Sequence, residues 1–336
     1  MQVNSENERS PLVSVIIPSY NRAAFICRAV ESALSQTYSH LEVIVVDDGS
    51  KDNTKDALKP FLSKIKYIYQ ENRGNAAARN KGLENARGKY VAFLDSDDSW
   101  LNDKVARQTA FLEEHADHAF VYCGNYFIDE NGQNVGTRLL QKGEEQTFDN
   151  LFIKNRILSL SLVLVRKSAL DEVGWLDERL RQSPDYDLYL KLAKKYPYGC
   201  IDEPLCRYQL HSGNIRGNLE GRLKAHLMIF QNPEIMQGLS FYARLRRRAD
   251  ACYQVASLYF AEGNYRRAAL NYFRCVLRDP YYGLTFADRK FKDIPGGNFY
   301  KILKVYYLIF YCLVKNLTAN RKNAAEAGKM GLKGTR

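Results

Sequence analysis

The sequence predicts an α/β domain whose mostly parallel sheet is covered by helices, followed by an α-helical extension. Apolar, strand-like runs alternate with helical patterns from residue 12 to residue 115, and this alternation is typical of parallel sheets. Hydrophobic residues make up 46% and charged residues 26% of the 336 residues. This composition is that of a globular protein and excludes a disordered one, and the length exceeds that of one small domain.

Four strands and four helices are predicted in the first part of the chain. LVSVIIPSY is continuous, apolar and rich in β-branched residues, as a strand covered on both faces requires. LEVIVVDDGS, IKYIYQ and KYVAFLD are the next three predicted strands. Helical spacing occurs between and after them in AFICRAVESALSQ, in TKDALKPFLSK despite Pro60, in GNAAARNKGLENARG up to Gly88, and in LNDKVARQTAFLEEH.

The regular alternation ends after Asp117. AFVYCGNYFID predicts a strand, ENG a turn, and SLSLVLVRKSAL a strand that leads into a helix. SPDYDLYLKLAKKY predicts a helix with acidic residues in its first turn, where the helix dipole favours them. CIDEPLCRYQLH predicts a short hairpin-like pair of strands. We expect these elements to add a layer to the same sheet and not to form a separate domain.

The charge balance favours anionic partners. The formal net charge is +11 and the pI is near 9.2, which suits nucleotides, phosphorylated lipids or an anionic membrane surface. Zinc-finger spacing and a basic-region helix are missing from the sequence, so nucleic acid is not predicted as a partner.

The cysteines and the start of the chain predict a cytoplasmic protein. Seven cysteines occur singly, without a CxxC pair, and their odd number argues against a disulfide framework. Residues 1–10 are polar, carry no apolar signal region and are predicted to be disordered. No run reaches the roughly twenty apolar residues that a membrane-spanning helix needs.

Polar groups follow three of the predicted strands. They are Pro18 to Asn21, Asp47 to Ser50, and Asp95 to Asp98. Because the carboxyl ends of parallel strands meet at one edge of a sheet, and ligands bind there, we expect these groups to line a ligand site. An Asp-x-Asp pattern suits Mg²⁺ or Mn²⁺ that also binds a diphosphate, although two acids at this spacing are also common on solvated loops.

The first two hundred residues resemble the family 2 inverting glycosyltransferases. The resemblance covers residues 12 to 215 and is densest in PLVSVIIPSYNRAAFICRAVESALSQTYSHLEVIVVDDGSKDNT and ENRGNAAARNKGLENARGKYVAFLDSDD. It implies a nucleotide-sugar-binding fold of the A type, a divalent metal, and sugar transfer with inversion. The catalytic domain is accordingly expected over residues 11–217.

The same resemblance implies a nucleotide site at the edge of the sheet. The first loop would contact the nucleotide, Asp48 would recognise the base, and Asp47 would instead cap the turn. The matching positions for nucleotide binding are Pro18, Tyr20, Asn21, Asp48, Arg79, Asn80 and Asp95.

A metal site and a catalytic base are implied as well. Asp97 would be the main ligand of Mn²⁺ or Mg²⁺, with Asp95 and His211 as further ligands, and Asp98 is predicted to be the N-cap of a helix that begins at Trp100. QSPDYDLYLKL resembles the acidic motif of the acceptor side. There Asp185 matches the base and Asp187 is expected to be structural. The chain departs from the family at Pro184, where glutamate is common.

Residues 218–318 are predicted to form a helical extension. Within it, residues 249–280 match one tetratricopeptide-like hairpin, which must bury its apolar face against flanking helices or the catalytic domain, or serve a partner. FYKILKVYYLIFYCLVKNLT, residues 299–318, is either a membrane-surface helix on an anionic leaflet or a terminal helix docked on that hairpin. Residues 319–336 are predicted to be a basic disordered tail.

The resulting functional hypothesis is a metal-dependent inverting glycosyltransferase. It would move a sugar from a nucleoside-diphosphate sugar to a glycan or lipid-linked acceptor, at the inner face of the plasma membrane, in bacterial surface polysaccharide biosynthesis. One alternative is a non-catalytic, transferase-like platform that binds partners through its helical C-terminus, against which the intact acids argue. The other is an Asp-dependent phosphohydrolase, against which the missing glycine-threonine continuation argues.

Overall fold

The protein, described by a computed structural model, divides into two compact units, residues 1–237 and residues 238–336. The structure describes residues 10–139, 146–211, 219–279, 306, 308–313 and 315. The predicted boundary lay at residue 217, twenty residues earlier. The helix that follows packs in the first unit, since His226 meets Tyr186 with ring centroids 5.4 Å apart and Phe230 meets Phe152 at 5.2 Å. The predicted disordered segments, 1–10 and 319–336, lie outside the described residues except for Ser10.

The described part of the first unit is built on one nine-stranded sheet. Its order is β3 (Lys66–Tyr69), β2 (Leu41–Asp47), β1 (Val13–Ser19), β4 (Tyr90–Phe93), β8 (Val163–Arg166), β6 (Phe120–Ile128), β9 (Tyr198–Gln209) and β5 (Ser99–Trp100), with β7 (Asn134–Arg138) paired to β6. Its first half is the predicted parallel layer, in which Ile16 of β1 lies between Ile44 of β2 and Phe93 of β4, all fully buried. The strands of that half are β1 Val13–Ser19, β2 Leu41–Asp47, β3 Lys66–Tyr69 and β4 Tyr90–Phe93. The predicted α/β fold is therefore confirmed.

The second half of the same sheet is mixed. β6 and β9 are parallel, whereas the β4–β8, β8–β6, β6–β7 and β9–β5 pairs are antiparallel. As expected, these strands extend the sheet and do not form another domain. They are β5 Ser99–Trp100, β6 Phe120–Ile128, β7 Asn134–Arg138, β8 Val163–Arg166 and β9 Tyr198–Gln209.

The predicted hairpin within residues 200–211 is wrong, because β9 is one continuous strand. Its register against β6 shifts at Gly124, which pairs with Pro204. Proline cannot donate to a ladder, and a bulge accommodates it without a turn. Gly124 leaves room for that bulge, since a Cβ atom there would lie 3.0 Å from the carbonyl oxygen of Glu203.

The helices of the first unit cover the sheet, with three departures from prediction. The helix predicted over residues 54–64 is a four-residue turn followed by a 3-10 turn that contains Pro60, which lacks the N–H that a longer helix needs. The next helix ends at Glu84, before Gly88. No helix begins at Trp100, which lies in β5. The helices are α1 Ile26–Leu34, α2 Thr54–Ala57, α3 Asn75–Glu84, α4 Lys104–Glu114, α5 Phe148–Ile153, α6 Lys167–Val173, α7 Pro184–Lys195, α8 Leu219–Gln231 and α9 Pro233–Met236.

The second unit contains the helices α10 Phe241–Ala261 and α11 Tyr265–Arg278, which pack on each other over the predicted hairpin. The side chain of Asn264 caps α11 by accepting from the N–H of Arg267. The helical residues between 306 and 315 add a third layer, in which Cys312 is fully buried. Among the described residues, no helix combines the length and the apolar character that crossing a membrane requires.

Candidate active site

The loops after β1 and β2 are joined at the carboxyl edge of the sheet. The N–H of Asp48 donates to the carbonyl oxygen of Ser19 at 2.8 Å. The N–H of Asn21 donates to Ser50 Oγ at 2.9 Å, and Asn21 Oδ1 accepts from the N–H of Lys51 at 2.8 Å. Asn21 has a positive φ of 52°, a conformation that asparagine tolerates better than most residues. The two loops therefore form one connected surface.

The two aspartates at the end of β2, Asp47 and Asp48, have different hydrogen-bond partners. Asp47 caps the turn, as the alternative prediction had it, because Oδ1 accepts from the N–H of Ser50 and Oδ2 from the hydroxyl of Tyr67. Asp48 is buried and accepts from the N–H groups of Arg73 (2.9 Å) and Gly74 (2.8 Å). Its carboxylate thus fixes the start of α3 beside the site.

Gly74 is required by its backbone conformation, because its φ is +95°, which side-chain-bearing residues rarely adopt. A Cβ atom would also lie 2.7 Å from Nη1 of Arg181, the end of a flexible side chain that can move away. The guanidinium of Arg181 in turn donates to the carbonyl oxygen of Arg73 at 3.2 Å. A basic side chain therefore lies over the loop that Asp48 holds.

Asp95 is held by an arginine and by serines. Nη2 of the buried Arg79 lies 2.5 Å from its Oδ1, and the hydroxyl of Ser159 donates to its Oδ2 at 2.9 Å. The N–H of Asp95 donates to Ser161 Oγ at 3.0 Å. The buried ion pair links α3 to the end of β4.

Asp97 and His211 form the pair that the metal prediction requires. Nε2 of His211 lies 2.9 Å from Oδ2 of Asp97, and its ring stacks on Phe25 with centroids 5.9 Å apart. Arg22 approaches the same carboxylate at 3.9 Å, and Arg28 donates to the carbonyl oxygen of Asp97 at 2.8 Å. The structure thus brings together residues that are more than a hundred positions apart.

A carboxylate beside an imidazole is a donor set that fits Mn²⁺ or Mg²⁺ when a diphosphate and water supply the other ligands. Within the described parts of the chain, no three His, Cys, Asp or Glu side chains lie close enough together to hold a metal by themselves. Asp95 was predicted as a further ligand. Among the described residues it does not form a three-ligand group with Asp97 and His211. Its oxygens accept from Arg79 and Ser159, and its role as a metal ligand stays a prediction.

Asp98 is the third carboxylate of this cluster and is fully enclosed. Burial, followed by the charges of Asp95 and Asp97, raises its pKa well above the ordinary value. Its Oδ1 accepts from the N–H of Gln209 at 3.1 Å. Asp98 therefore anchors the end of β9, and the predicted N-cap role is wrong because the following residues form β5.

Asp185 is the second residue of the helix α7. It follows Pro184, the first residue of α7, and Ser183, whose positive φ of 55° is a strained conformation for serine. Burial raises the pKa of Asp185, Arg79 counteracts this shift, and Asp95 adds to it. These electrostatic effects place Asp185 near the Arg79–Asp95 pair. Among the described residues, neither the buried hydroxyl of Tyr189, one helical turn on, nor Nε of Arg79 has a hydrogen-bond partner.

The side chains of two other predicted residues, Asp187 and Asn80, bind to neighbouring parts of the chain. Nζ of Lys191 lies 2.7 Å from the buried carboxylate of Asp187, one turn along α7. Asn80 was predicted to lie beside the nucleotide, but its amide donates to Leu176 and Glu178 and accepts from the N–H of Leu176. Because three of the four hydrogen bonds that an amide can make hold this loop, Asn80 positions the loop, and its contact with a nucleotide stays a prediction.

Sequence reasoning missed the residues that support the site from a distance. Arg28 and Gln209 bond to each other at 2.7 Å across 181 positions, and the 159–161 segment reaches Asp95 from 64 positions away. Only the periodicity of Tyr189, four residues after Asp185 on one helix face, could have indicated a site residue.

Comparison with known sequences identifies relatives of the first unit. The family model described as Glycosyl transferase family 2 matches residues 14–174. TuaG of Bacillus subtilis (strain 168), a glycosyltransferase named for teichuronic acid biosynthesis, is 38% identical over 214 residues, covering 62% of this chain and 82% of TuaG. An uncharacterized glycosyltransferase of Rickettsia prowazekii (strain Madrid E) is 32% identical over 225 residues, covering 66% of this chain and 71% of that protein.

Solved structures show the same fold at low sequence identity. TarS of S. aureus in complex with UDP-GlcNAc superposes with a TM-score of 0.59 at 20% identity, covering 88% of this chain and 89% of that chain. The mannosyltransferase PcManGT of Pyrobaculum calidifontis, in complex with GDP-Man and Mn²⁺, gives a TM-score of 0.57 at 20% identity, covering 93% of this chain and 88% of that chain.

Proposed function

The chain belongs to glycosyl transferase family 2 and is a glycosyltransferase, and from that premise we propose a metal-dependent transfer with inversion. The donor is a nucleoside-diphosphate sugar, and the acceptor is a glycan or a lipid-linked glycan. The observation that carries the proposal is the pairing of Asp97 with His211, 2.9 Å apart, together with a second acid, Asp185, whose pKa is raised by burial, lowered by Arg79 and raised by Asp95.

Asp97 and His211 would hold Mn²⁺ or Mg²⁺ together with the diphosphate of the donor. Such a cation supplies neutralisation of the charge that develops on the departing nucleoside diphosphate. Arg22 adds a further positive group 3.9 Å from Asp97. PcManGT, whose structure contains GDP-Man and Mn²⁺, supports a divalent metal in this fold.

The nucleotide would lie on the joined loops after β1 and β2. Tyr20 is 43% exposed, so its ring is available to stack on a base, next to Pro18 and Asn21. Oδ1 of Asp48 already accepts from Gln70 and Arg73, whereas Oδ2 accepts from Gly74 and keeps one lone pair that a base N–H can use. Arg79 and Asp95 line the inner wall, beside the ribose. TarS, whose structure contains UDP-GlcNAc, supports a nucleotide-sugar donor for this fold.

Asp185 would act as the general base. The acceptor hydroxyl oxygen forms the new bond to the anomeric carbon, the bond from that carbon to the diphosphate oxygen breaks, and the hydroxyl proton passes to Asp185. The nucleoside diphosphate leaves with the electron pair of the broken bond. Attack on the face opposite the leaving group inverts the configuration. A raised pKa suits this task, because a base is most effective when its pKa approaches the working pH.

The proposed setting is the cytoplasmic face of the plasma membrane, in bacterial surface polysaccharide biosynthesis. The likeness to TuaG supports the pathway class, and the net charge of +11 supports an anionic membrane partner. The tetratricopeptide-like hairpin is proposed as structural support in the second unit, where its apolar face is covered by the helical residues near Cys312.

The test is incubation of the full chain with a panel of nucleoside-diphosphate sugars, with Mn²⁺, Mg²⁺ or a chelator. We expect metal-dependent release of one nucleoside diphosphate, and inverted anomeric configuration of the product by NMR once an acceptor is found. Release of inorganic phosphate instead would favour a phosphohydrolase. Nucleotide binding without any turnover would favour the non-catalytic platform, and retention of configuration would contradict the proposed base.

A further inference from the structure

The positive charge of the protein is concentrated in its second unit. Residues 238–336 contain 19 Lys and Arg against six Asp and Glu, whereas residues 1–237 contain 30 against 32. The second unit therefore carries a formal charge of +13 and the first unit −2. Two of the described acids in the second unit, Asp250 and Asp279, are buried in ion pairs with Arg247 and Arg246. Each of these two ion pairs is neutral, so the net positive charge of the second unit comes from its other charged residues.

One face of α11 is apolar and exposed. Leu270, Phe273 and Leu277, spaced by three and four residues, fall in one row along the helix and are 49%, 50% and 66% exposed. The opposite face packs into the unit through the buried side chains of Ala268, Ala269, Tyr272 and Cys275. The folded hairpin thus does not use this row for its own core.

A basic row lies beside the apolar row on the same helix. Arg267, Arg274 and Arg278 follow one another at spacings of seven and four residues, and none of them has an ion pair with a described carboxylate. The third helical layer repeats the pattern on a smaller scale. Its buried side packs through Cys312, whereas Phe310 and Leu313 on the other side are 66% and 49% exposed, next to the exposed Lys315.

We propose that the second unit binds an anionic lipid bilayer through the exposed face of α11, with the apolar row inserted between headgroups and the arginine row on the lipid phosphates. The proposal deepens the membrane setting given above, on which it rests, by naming the surface. An apolar stripe beside cationic side chains is the pattern of helices that lie in a membrane interface. A second copy of the chain is a poor occupant, because two surfaces of +13 repel each other. Leucine and phenylalanine in a row gain nothing from a nucleic-acid backbone, which is polar.

The experiment is cosedimentation of the full chain with phosphatidylcholine vesicles that contain or lack phosphatidylglycerol. We expect binding only to the anionic vesicles, and weaker binding as salt rises. The variant Arg267→Gln/Arg274→Gln/Arg278→Gln should bind roughly a hundredfold more weakly, at about fivefold for each arginine removed near the surface. The variant Leu270→Ser/Phe273→Ser/Leu277→Ser should also lose binding, because the insertion of apolar side chains is lost.

The matched control is Lys55→Gln/Lys64→Gln/Lys66→Gln, which removes the same charge from exposed positions of the first unit and should bind as the parent does. Binding that drops equally in this control would show a net-charge effect and overturn the assignment to α11. Binding that persists in both α11 variants would move the membrane contact elsewhere.

Three further outcomes would also overturn the proposal. A large fall in melting temperature of the serine variant, with unchanged vesicle binding, would mean that the chain itself covers the row. Absence of vesicle binding under all conditions would remove the membrane partner, and capture of an acidic protein by the same face would replace it. Donor hydrolysis, measured without vesicles in every variant, is expected to stay at the parental level. It therefore separates these results from failure of the proposed transfer reaction.

Discussion

The guanidinium of Arg79 and the carboxylate of Asp95 form a buried ion pair, with Nη2 and Oδ1 2.5 Å apart, between α3 and the end of β4. Because Arg79 is only 5% exposed, Asp95 provides the counter-charge for its buried guanidinium. The two charges of the pair act on the pKa of Asp185, the proposed base, in opposite directions. The Arg79–Asp95 contact therefore affects both the stability of the protein and the pKa of the proposed base.

Removal of the arginine should destabilise the protein. We expect Arg79→Met to lower the free energy of unfolding by about 3 kcal/mol, because it leaves a carboxylate that is largely buried without its counter-charge. Urea unfolding at neutral pH measures the change. Arg87→Gln is the matched control: it breaks the bridge to Glu42 with an arginine side chain that is 78% exposed, and should cost at most about 1 kcal/mol. Equal losses in the two variants would contradict the special status of the buried pair.

The Asp97–His211 pair predicts metal-dependent nucleotide binding. Asp97→Ala and His211→Ala should each weaken Mn²⁺-dependent binding of the nucleoside diphosphate at least tenfold, because each removes one of two protein ligands. Both variants should melt like the parent without metal, since both side chains are partly exposed. Calorimetric titration with and without Mn²⁺ provides the measurement. Unchanged affinity in the presence of metal would exclude the altered residue from the site.

Lys104 predicts a pH dependence of stability that is independent of the active site. It is fully buried, its Nζ bonds to Gln108 at 2.7 Å, and burial lowers its pKa from 10.5 to about 8. The folded protein therefore loses this proton at lower pH than the unfolded chain does. Between pH 8 and pH 10.5 the unfolded state binds more protons, so the free energy of unfolding rises with pH by up to about 1.4 kcal/mol per unit.

The difference in unfolding free energy between the parent and Lys104→Met isolates this effect from other groups that titrate in the same range. Relative to the variant, the parent should gain about 3 kcal/mol from pH 7 to pH 10.5. Urea unfolding at several pH values measures it, and Lys55→Met, at an exposed position, should show no such gain. A pH-independent difference between parent and Lys104→Met would mean that the buried amine keeps an ordinary pKa.

The sequence predicts the first half of the sheet well, because continuous β-branched runs such as Val13 to Ile17 have few alternatives to a doubly covered strand. It predicts the edge acids for a related reason, since strand ends in a parallel sheet must meet. The failures have a different physical origin. From the sequence, Pro204 predicts a turn, but in the structure it lies at a bulge opposite Gly124 of β6. Asp98 predicts a helix cap, but its carboxylate accepts from the N–H of the distant Gln209.

Asp185 leads to the last prediction. Asp185→Asn should lower turnover roughly a hundredfold to ten-thousandfold, the usual span for the loss of a general base, because the amide cannot take the proton of the acceptor hydroxyl. Donor affinity should stay at the parental level, since the change affects the acceptor side. In the parent, burial raises the pKa of Asp185, so turnover should fall on acidification at a pH above the ordinary range of aspartate. The measurement is the pH dependence of nucleoside-diphosphate release at saturating donor.

The matched control for this prediction is Asp187→Asn, two residues along α7. Its carboxylate is buried against Lys191 at 2.7 Å, so the change should reduce stability by removing the counter-charge of the partly buried Lys191 ammonium, while the folded fraction still turns over. Tyr189→Phe separates positioning from chemistry. Its hydroxyl has no partner among the described residues, so its loss should leave the melting temperature nearly unchanged. A fall in turnover would then show that the hydroxyl contacts bound acceptor or water beside Asp185. If Asp187→Asn is folded and inactive while Asp185→Asn turns over normally, the base is Asp187, two residues further along α7 and on a different side of the helix.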